Sequence, residues 1–172
     1  IKKNGKIIIN KINVIGNTVI PEKKLKGTIF TKGVLKGIRE KDGFHNWLRS
    51  HKFVDSKYKE AKESLQNYYA ELGYRDAIII ADTVKNIDDR YVDINIHVDE
   101  GEKYYIRNIE WVGNSVYNTY DLARVLNMKT GDVYNQKLLG DRLSNDEDAV
   151  GNLYYNNGYV FYRLDPVETN IV

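Results

Sequence analysis

The chain has 172 residues, 42% of them hydrophobic and 29% charged, a balance typical of a folded globular protein. It contains no cysteine, which excludes disulfides, thiol catalysis and cysteine-bound metal centres. The net charge of +2 hides an asymmetry, because residues 1–60 carry 15 Lys and Arg against 5 Asp and Glu.

The first predicted elements are a strand and a helix joined by a turn. Apolar residues alternate with Lys and Asn over Lys6–Val14, which predicts a strand with one solvated face. Gly16-Asn17 is a turn signal. Pro21 suits the first turn of a helix, because its missing N–H has no helical partner there.

A segment rich in glycine, basic and aromatic residues follows over about 32–53. A connection this long is either functional or disordered, and its aromatic residues favour a packed or adhesive segment. We predict an insertion in which Phe44, Trp47 and Arg49 form a partner surface.

The excess of positive charge leaves a second interpretation open, a basic α+β domain that binds nucleic acid or the cell envelope. The residues of this basic face would be Lys23, Lys24, Lys26, Lys32, Lys36, Arg39 and Arg49.

The next elements form a helix followed by two strands. Apolar residues recur at helical spacing from Tyr58 to Leu72, and Gly73 is predicted to end the helix because it accepts a left-handed conformation. Tyr74–Val84 has strand-like composition. Tyr91–Val98 alternates regularly between Val or Ile and polar residues, which predicts a strand with one buried face.

The pattern then starts again, which indicates an internal repeat. Ile12–Val19 is matched by Ile109–Val116, 97 positions later. Gly73-Tyr74 is matched by Gly158-Tyr159, 85 positions later, so the first copy is the longer one. Two motifs in the same order with a helix between them are difficult to explain by coincidence.

The second copy supports the same element types. Asn118 and Asp121 resemble an N-cap arrangement at the start of a helix. A long helix is predicted over Leu139–Tyr154 and a strand over Val160–Pro166. The sequence ends at Val172, before any counterpart of Tyr91–Val98.

These motifs together resemble the POTRA (polypeptide-transport-associated) domain of outer-membrane β-barrel assembly factors. The features that carry the resemblance are the Ile12-x-Val14-x-Gly16-Asn17 motif, the helix that ends in Tyr68-Tyr69-x-x-x-Gly73-Tyr74, and the strand Val92–Gly101. The basic, aromatic insertion is similar to that of BamA-like proteins of Bacteroidetes-type bacteria.

The resemblance implies an α+β fold made of tandem β-α-α-β-β units. Each unit is expected to be a three-stranded mixed sheet with two helices on one face and its third strand in the middle. We predict a first unit over 1–101 and a second over 102–172, which lacks its last strand in this sequence.

The resemblance also implies a function without catalysis or cofactors. It points to the periplasmic side of the outer membrane of a Gram-negative bacterium. The implied partners are unfolded outer-membrane protein precursors, accessory assembly lipoproteins, neighbouring POTRA units and a C-terminal membrane β-barrel, with no nucleic acid.

Edge strands of such a sheet offer unpaired backbone groups to an extended polypeptide. The predicted polypeptide-binding residues are Ala77, Ile78, Ile79, Ile80 and Ala81 in the first unit and Val160, Phe161 and Tyr162 in the second. The alternative is that the three isoleucines only form the strand and its core.

No group of residues indicates an active site or a metal site. Metal-ligand spacing is absent among the histidines His45, His51 and His97. The carboxylates of Asp146-Glu147-Asp148 are predicted to lie on one solvated helical turn, whereas acid–base catalysis needs groups that face a cleft.

Overall fold

The computed structural model describes residues 7–27 and 53–169, and the chain divides into two compact units, Ile1–Lys103 and Tyr104–Val172. The elements of the first unit are β1 (Ile8–Ile15), α1 (Glu22–Gly27), α2 (Asp55–Glu71), β2 (Ile78–Asn86) and β3 (Tyr91–Asp99). No helix within the described ranges is both long and apolar enough to cross a membrane.

The three strands form one mixed sheet in the order β1-β3-β2. β1 runs parallel to β3, whereas β2 runs antiparallel to it. The parallel pair needs a long connection, while β2 and β3 are joined by a short turn. The predicted α+β class and the central position of the third strand are therefore confirmed in this unit.

The core of the first unit lies between the helices and one face of the sheet. Alternate residues of β3 point into it, and Val92, Ile94, Ile96 and Val98 are all buried. Leu65 and Tyr69 of α2 belong to the same cluster. The opposite face is polar, where the sheet aligns Asp93 with Lys11 and Lys85. The predicted alternation of β3 is confirmed.

Helix α2 ends just before Gly73, as the sequence predicts. Gly73 adopts a φ of +94°. The N–H of Tyr74 donates to the carbonyl of Tyr69 at 2.9 Å, which is the backward bond expected of a helix that ends on a left-handed glycine. The rings of Tyr69 and Tyr74 meet edge to face, 6.2 Å apart.

The second unit is built mainly from short helices. They are α3 (Thr119–Leu126), α4 (Gln136–Gly140), a π-helical turn (Asp141–Asn145) and α5 (Val150–Tyr155). The Asn118 side chain accepts from the N–H of Asp121 at 2.9 Å, which confirms the predicted N-cap.

The single long helix predicted over Leu139–Tyr154 is wrong. Its middle holds Ser, Asn and Asp residues that compete for the backbone in non-helical conformations. The predicted helical turn at Asp146-Glu147-Asp148 is accordingly a bend between the π-helical turn and α5. Arg142 spans this bend through ion pairs to Asp146 and Asp148.

The strand predicted over Val160–Pro166 is also absent. Val160 and Phe161 occupy a turn, as do their counterparts Arg75 and Asp76 in the first unit. These two positions therefore precede the place where β2 begins in the first unit. Among the described residues of the second unit, strand pairing is limited to one bridge between Tyr105 and Val133. In the first unit β3 pairs with both outer strands, and no segment among the described residues 104–169 forms such a central strand.

Candidate polypeptide-binding edge

β2 lies at the edge of the first unit's sheet. One side of the strand pairs with β3, and in the described part of the chain no strand pairs with its other side. An edge of this kind presents N–H and C=O groups that an added strand can bind without any particular side chain. β2 therefore has the geometry of the predicted binding edge.

The isoleucines of this edge divide into two sets. Ile78 and Ile80 are 52% and 63% exposed. Ile79 is half-buried and packs against the core, while Ala77 is buried just before the strand begins. We call Ile78, Ile80 and the exposed Ala81 the edge patch.

A β-bulge shapes the edge patch. Ile79 pairs with Val98 and Ala81 pairs with His97, so Ile80 is one extra residue in β2. The extra residue changes the alternation, so that Ile79 and Asp82 both lie on the helix-covered side. No glycine or turn signal in the amino-acid pattern predicts this bulge, because Ile79 and Ile80 are both good strand formers.

An ion pair holds β2 to the helix above it. The ammonium of Lys62 on α2 lies 3.1 Å from each carboxylate oxygen of Asp82. Partial burial acts to raise the pKa of Asp82, but the hydrogen bond and charge of Lys62 together with the nearby Tyr58 hydroxyl outweigh it, and the pKa lies below its ordinary value. The edge patch is thus presented on a strand fixed to a helix, not on a loop.

A buried carboxylate lies just after β3, and sequence reasoning missed its role. Glu100 is 4% exposed. Its Oε2 accepts from the N–H of Thr18 at 2.7 Å, from the Thr18 hydroxyl at 2.9 Å and from the N–H of Val19 at 2.7 Å. Its Oε1 accepts from the N–H of Ile20 at 3.1 Å and from the Tyr69 hydroxyl at 3.0 Å. These five donors, from Thr18, Val19, Ile20 and Tyr69, are the carboxylate nest.

The carboxylate nest determines the charge state of Glu100. Burial acts to raise the pKa of Glu100, but the donors from Val19, Ile20 and Thr18 outweigh it and hold the pKa below its ordinary value. Burial, and after it the bond to Glu100, raises the pKa of Tyr69 above its usual range, so the phenol remains a donor. The nest fastens the end of β3 to the turn after β1.

The structure describes only some of the other predicted site residues. Phe44, Trp47 and Arg49 lie outside the described residues, as do Lys32, Lys36 and Arg39 of the basic face. Lys23, Lys24 and Lys26 lie on α1, where Lys26 pairs with Glu22 at 3.2 Å. Within the described ranges, no group of three or more His, Cys, Asp or Glu residues is arranged to hold a metal ion.

The residues predicted as the second edge have different surroundings. Val160 and Phe161 are exposed in their turn, where the backbone does not run as a strand. Tyr162 stacks on Tyr154 with ring centres 5.5 Å apart. Its hydroxyl would lie 2.5 Å from a Cβ placed on Gly151. Tyr162 is therefore a packing residue against α5.

Comparison with known proteins identifies the same unit twice. The sequence profile of POTRA, described as "Surface antigen variable number repeat", matches residues 7–101 and 104–171. A Treponema pallidum (strain Nichols) protein is 26% identical over 173 residues, 98% of this chain and 19% of the relative. The outer membrane protein assembly factor BamA of Neisseria meningitidis serogroup B is 24% identical over 169 residues, 94% of this chain and 19% of the relative.

A solved structure shares the fold. The crystal structure of POTRA domains 3–5 of BamA from Haemophilus influenzae superposes with a TM-score of 0.54 at 19% identity, over 81% of this chain and 53% of that one. The chain spans about a fifth of the length of the two relatives, 19% in each case.

Proposed function

The chain belongs to the POTRA domain family, and from this premise we propose that it is a protein-interaction scaffold of an outer-membrane β-barrel assembly machine. It acts on the periplasmic side of the outer membrane of a Gram-negative bacterium. The similarity to proteins named as outer membrane protein assembly factors supports this proposal. Family membership also agrees with the prediction that the chain is not an enzyme.

The observation that carries the mechanism is the edge patch on β2. An extended segment of an unfolded β-barrel precursor adds as a fourth strand beside β2 and pairs with its free backbone groups. Ile78 and Ile80 contact the apolar side chains of the added strand, because both project into solvent beside that edge. Backbone pairing gives affinity without strict sequence preference, which suits a factor with many clients.

The remaining partners follow from the same proposal. Accessory lipoproteins and neighbouring POTRA units bind other surfaces of this chain. A C-terminal membrane β-barrel in the full-length protein anchors the chain to the outer membrane. The insertion over about 32–53, with Phe44, Trp47 and Arg49, is the surface for a partner particular to this protein.

The test is a pair of matched substitutions in the first unit. Ile80→Lys places a charge in the edge patch, and Ile87→Lys places the same charge on an exposed isoleucine beyond the strand. The probe is a fluorescein-labelled peptide with the sequence of one strand of an outer-membrane β-barrel, and binding is measured by anisotropy. We expect Ile80→Lys to weaken binding about tenfold, since burying one isoleucine is worth about 1.5–3 kcal/mol.

The control should bind as the unmodified chain does. A correctly folded Ile80→Lys chain with unchanged affinity would contradict edge pairing. Ile80→Pro provides a second test, because it removes a backbone N–H from the same strand. Salt-sensitive, low-micromolar RNA or DNA binding by the unmodified chain would instead favour the basic-domain alternative.

A further inference from the structure

The free edge of β2 offers backbone groups from alternate residues only. The N–H of Ile87 donates to the carbonyl of Tyr91 at 2.9 Å, so these two residues form a hydrogen-bonded pair. Hydrogen-bonded and non-hydrogen-bonded pairs alternate along an antiparallel ladder. Lys85 and Thr83 therefore direct their N–H and C=O groups toward β3, whereas Val84 directs its own away from the sheet.

The pairing of β1 supports the same assignment independently. The N–H of Ile8 donates to the carbonyl of Arg90 at 2.7 Å, so the even-numbered positions in and just before β3 direct their backbone groups toward β1. The odd-numbered positions then face β2. Val84 lies opposite Ile94, an even-numbered residue, so its N–H and C=O point outward. A strand added at this edge therefore pairs with Val84.

The β-bulge at Ile80 sets one end of the regular pairing. Ile79 pairs with Val98 and Ala81 pairs with His97, so Ile80 breaks the two-residue period of the edge. Regular pairing on the free side runs over residues 82–86. An added segment reaches the edge patch only beyond this regular stretch.

Charged side chains form one row across the face of the sheet that the helices do not cover. Lys11 of β1 lies beside Asp93 of β3, and Asp93 lies beside Lys85 of β2. Both lysines are exposed. The Nδ2 of Asn10 donates to Asp93 at 2.8 Å, so one carboxylate lies between two lysines and also accepts from an amide. The row alternates in charge and ends on a positive group at the free edge.

The neighbouring row on the same face is uncharged. Asn13 donates through Nδ2 to Oδ1 of Asn95 at 2.7 Å, and Asn95 donates through Nδ2 to the hydroxyl oxygen of Thr83 at 3.4 Å. This row ends at the edge on an exposed threonine. Between the two rows, Val84 lies on the helix-covered side and is 40% exposed. Three successive residues of β2 therefore present a polar, an apolar and a positive side chain.

We propose that the β2 edge selects extended segments in which an acidic residue, an apolar residue and a Ser, Thr, Asn or Gln follow one another. This proposal rests on the proposed function of that edge. The segment adds antiparallel to β2, because antiparallel pairing is slightly more stable per residue than parallel pairing. Its acidic side chain lies beside Lys85, its apolar side chain beside Val84, and its hydroxyl or amide beside Thr83.

Lys85 is the residue that discriminates between segments. It forms a non-hydrogen-bonded pair with the added strand, in which opposing side chains approach most closely. An acidic residue opposite a lysine stabilises the pair, whereas a basic residue there is repelled. A lysine on an edge strand also discourages pairing with strands that lack the matching charge. The edge therefore accepts a pattern of side chains and not any single sequence.

The experiment compares two fluorescein-labelled peptides on the full chain. They share the same strand-forming flanks and differ at one position, with Glu-Val-Thr at the centre of one and Lys-Val-Thr at the centre of the other. Anisotropy measures their binding at low ionic strength, where surface charges are least screened. We expect the Glu peptide to bind about fivefold more tightly, which corresponds to about 1 kcal/mol.

Matched charge reversals on the chain test where the segment lies. Lys85→Glu should reverse the preference, so that the Lys peptide becomes the tighter ligand. Lys11→Glu reverses the charge at the other end of the same row, with β3 and β2 between it and the added segment, and should keep the preference for the Glu peptide. Because both lysines are exposed, both variants should keep the circular dichroism of the unmodified chain.

Several results would overturn the proposal. Equal binding of the two peptides, weakened for both by Ile80→Lys, would leave the β2 edge as a binding site and remove the selectivity. An unchanged preference in Lys85→Glu, or a reversed one in Lys11→Glu, would place the segment elsewhere. Tighter binding of a peptide with the reversed centre, Thr-Val-Glu, would contradict antiparallel addition. Failure of every peptide to bind at about millimolar concentration would remove the proposed function as well.

Discussion

At the scale of single residues, Glu100 is the group on which the first unit depends most clearly. Its carboxylate accepts hydrogen bonds from three backbone N–H groups and two hydroxyls. Without the carboxylate, these donors would lose this acceptor. Leaving a buried polar group unpaired costs about 1–3 kcal/mol, and more when the group is charged. The residue joins β3 to the turn after β1 and is therefore structural rather than catalytic.

We expect Glu100→Gln to lower the free energy of unfolding by about 2–4 kcal/mol at neutral pH. An amide supplies one acceptor oxygen, and its NH₂ group faces N–H donors that it cannot satisfy. Urea unfolding followed by circular dichroism measures the change. Glu102→Gln, at an exposed position two residues later, is the matched control and should remain within about 0.5 kcal/mol of the unmodified chain.

The effect has a defined pH dependence. The pKa of Glu100 is lowered in the folded state, so its stabilising contribution is complete above the ordinary carboxyl pKa of about 4.3. The contribution is lost as the pH falls through the lower folded value. The difference between Glu100→Gln and the unmodified chain should therefore shrink in acid. A difference that stays constant from pH 7 to acid would contradict an ionised Glu100.

At the scale of elements, the turn after β1 shows how the repeat and its surroundings combine. The same Gly-Asn turn occurs in both units, but only in the first does a strand carbonyl lie against the glycine. Gly16 therefore carries two constraints, a positive φ and a close approach. Gly113 carries the first constraint alone.

This difference makes a matched pair of substitutions. Gly16→Ala should destabilise the first unit by about 3 kcal/mol or more, because it combines a left-handed alanine with a clash against Val98. Gly113→Ala should destabilise the second unit by only about 1–2 kcal/mol, the cost of its φ alone. Hydrogen exchange at the amides of each unit measures the two effects separately. Equal losses would mean that the contact with Val98 has no energetic weight.

Element boundaries show which signals were sufficient in the sequence. The ends of α2 and α5 were predictable because a glycine and the tyrosine after it act locally. The bulge at Ile80 was not predictable from the sequence. It places Ile79 and Asp82 on the same side of β2, and only their packing in the folded unit requires that placement. The helix predicted before Gly158 is too long. Apolar residues keep helical spacing on both sides of a polar run, but the backbone of that run is not helical.

At the scale of the whole molecule, the first unit contains everything that its sheet requires. The three strands, the two helices and the buried glutamate that the structure describes there all lie within Ile1–Lys103. We expect residues 1–103 alone to fold, with one cooperative thermal transition and dispersed amide resonances. Residues 104–172 alone should unfold with weak cooperativity, since their described backbone has only one strand bridge. Absence of a cooperative transition in residues 1–103 would contradict an autonomous unit.

The sequence by itself determined the repeat, the α+β class, the helix stops and the buried face of β3. These features depend on local conformational preference and on side-chain period, both of which can be read along the chain. Only the tertiary structure decided that Ile78 and Ile80 face solvent while Ile79 does not, and that Val160 and Phe161 lie in a turn. It also decided that Glu100 is buried among donors 80 or more residues away along the chain, apart from Tyr69. The physical reason is that strand pairing, bulges and buried hydrogen bonds join segments distant in sequence, and no local pattern records which partner a backbone group will find.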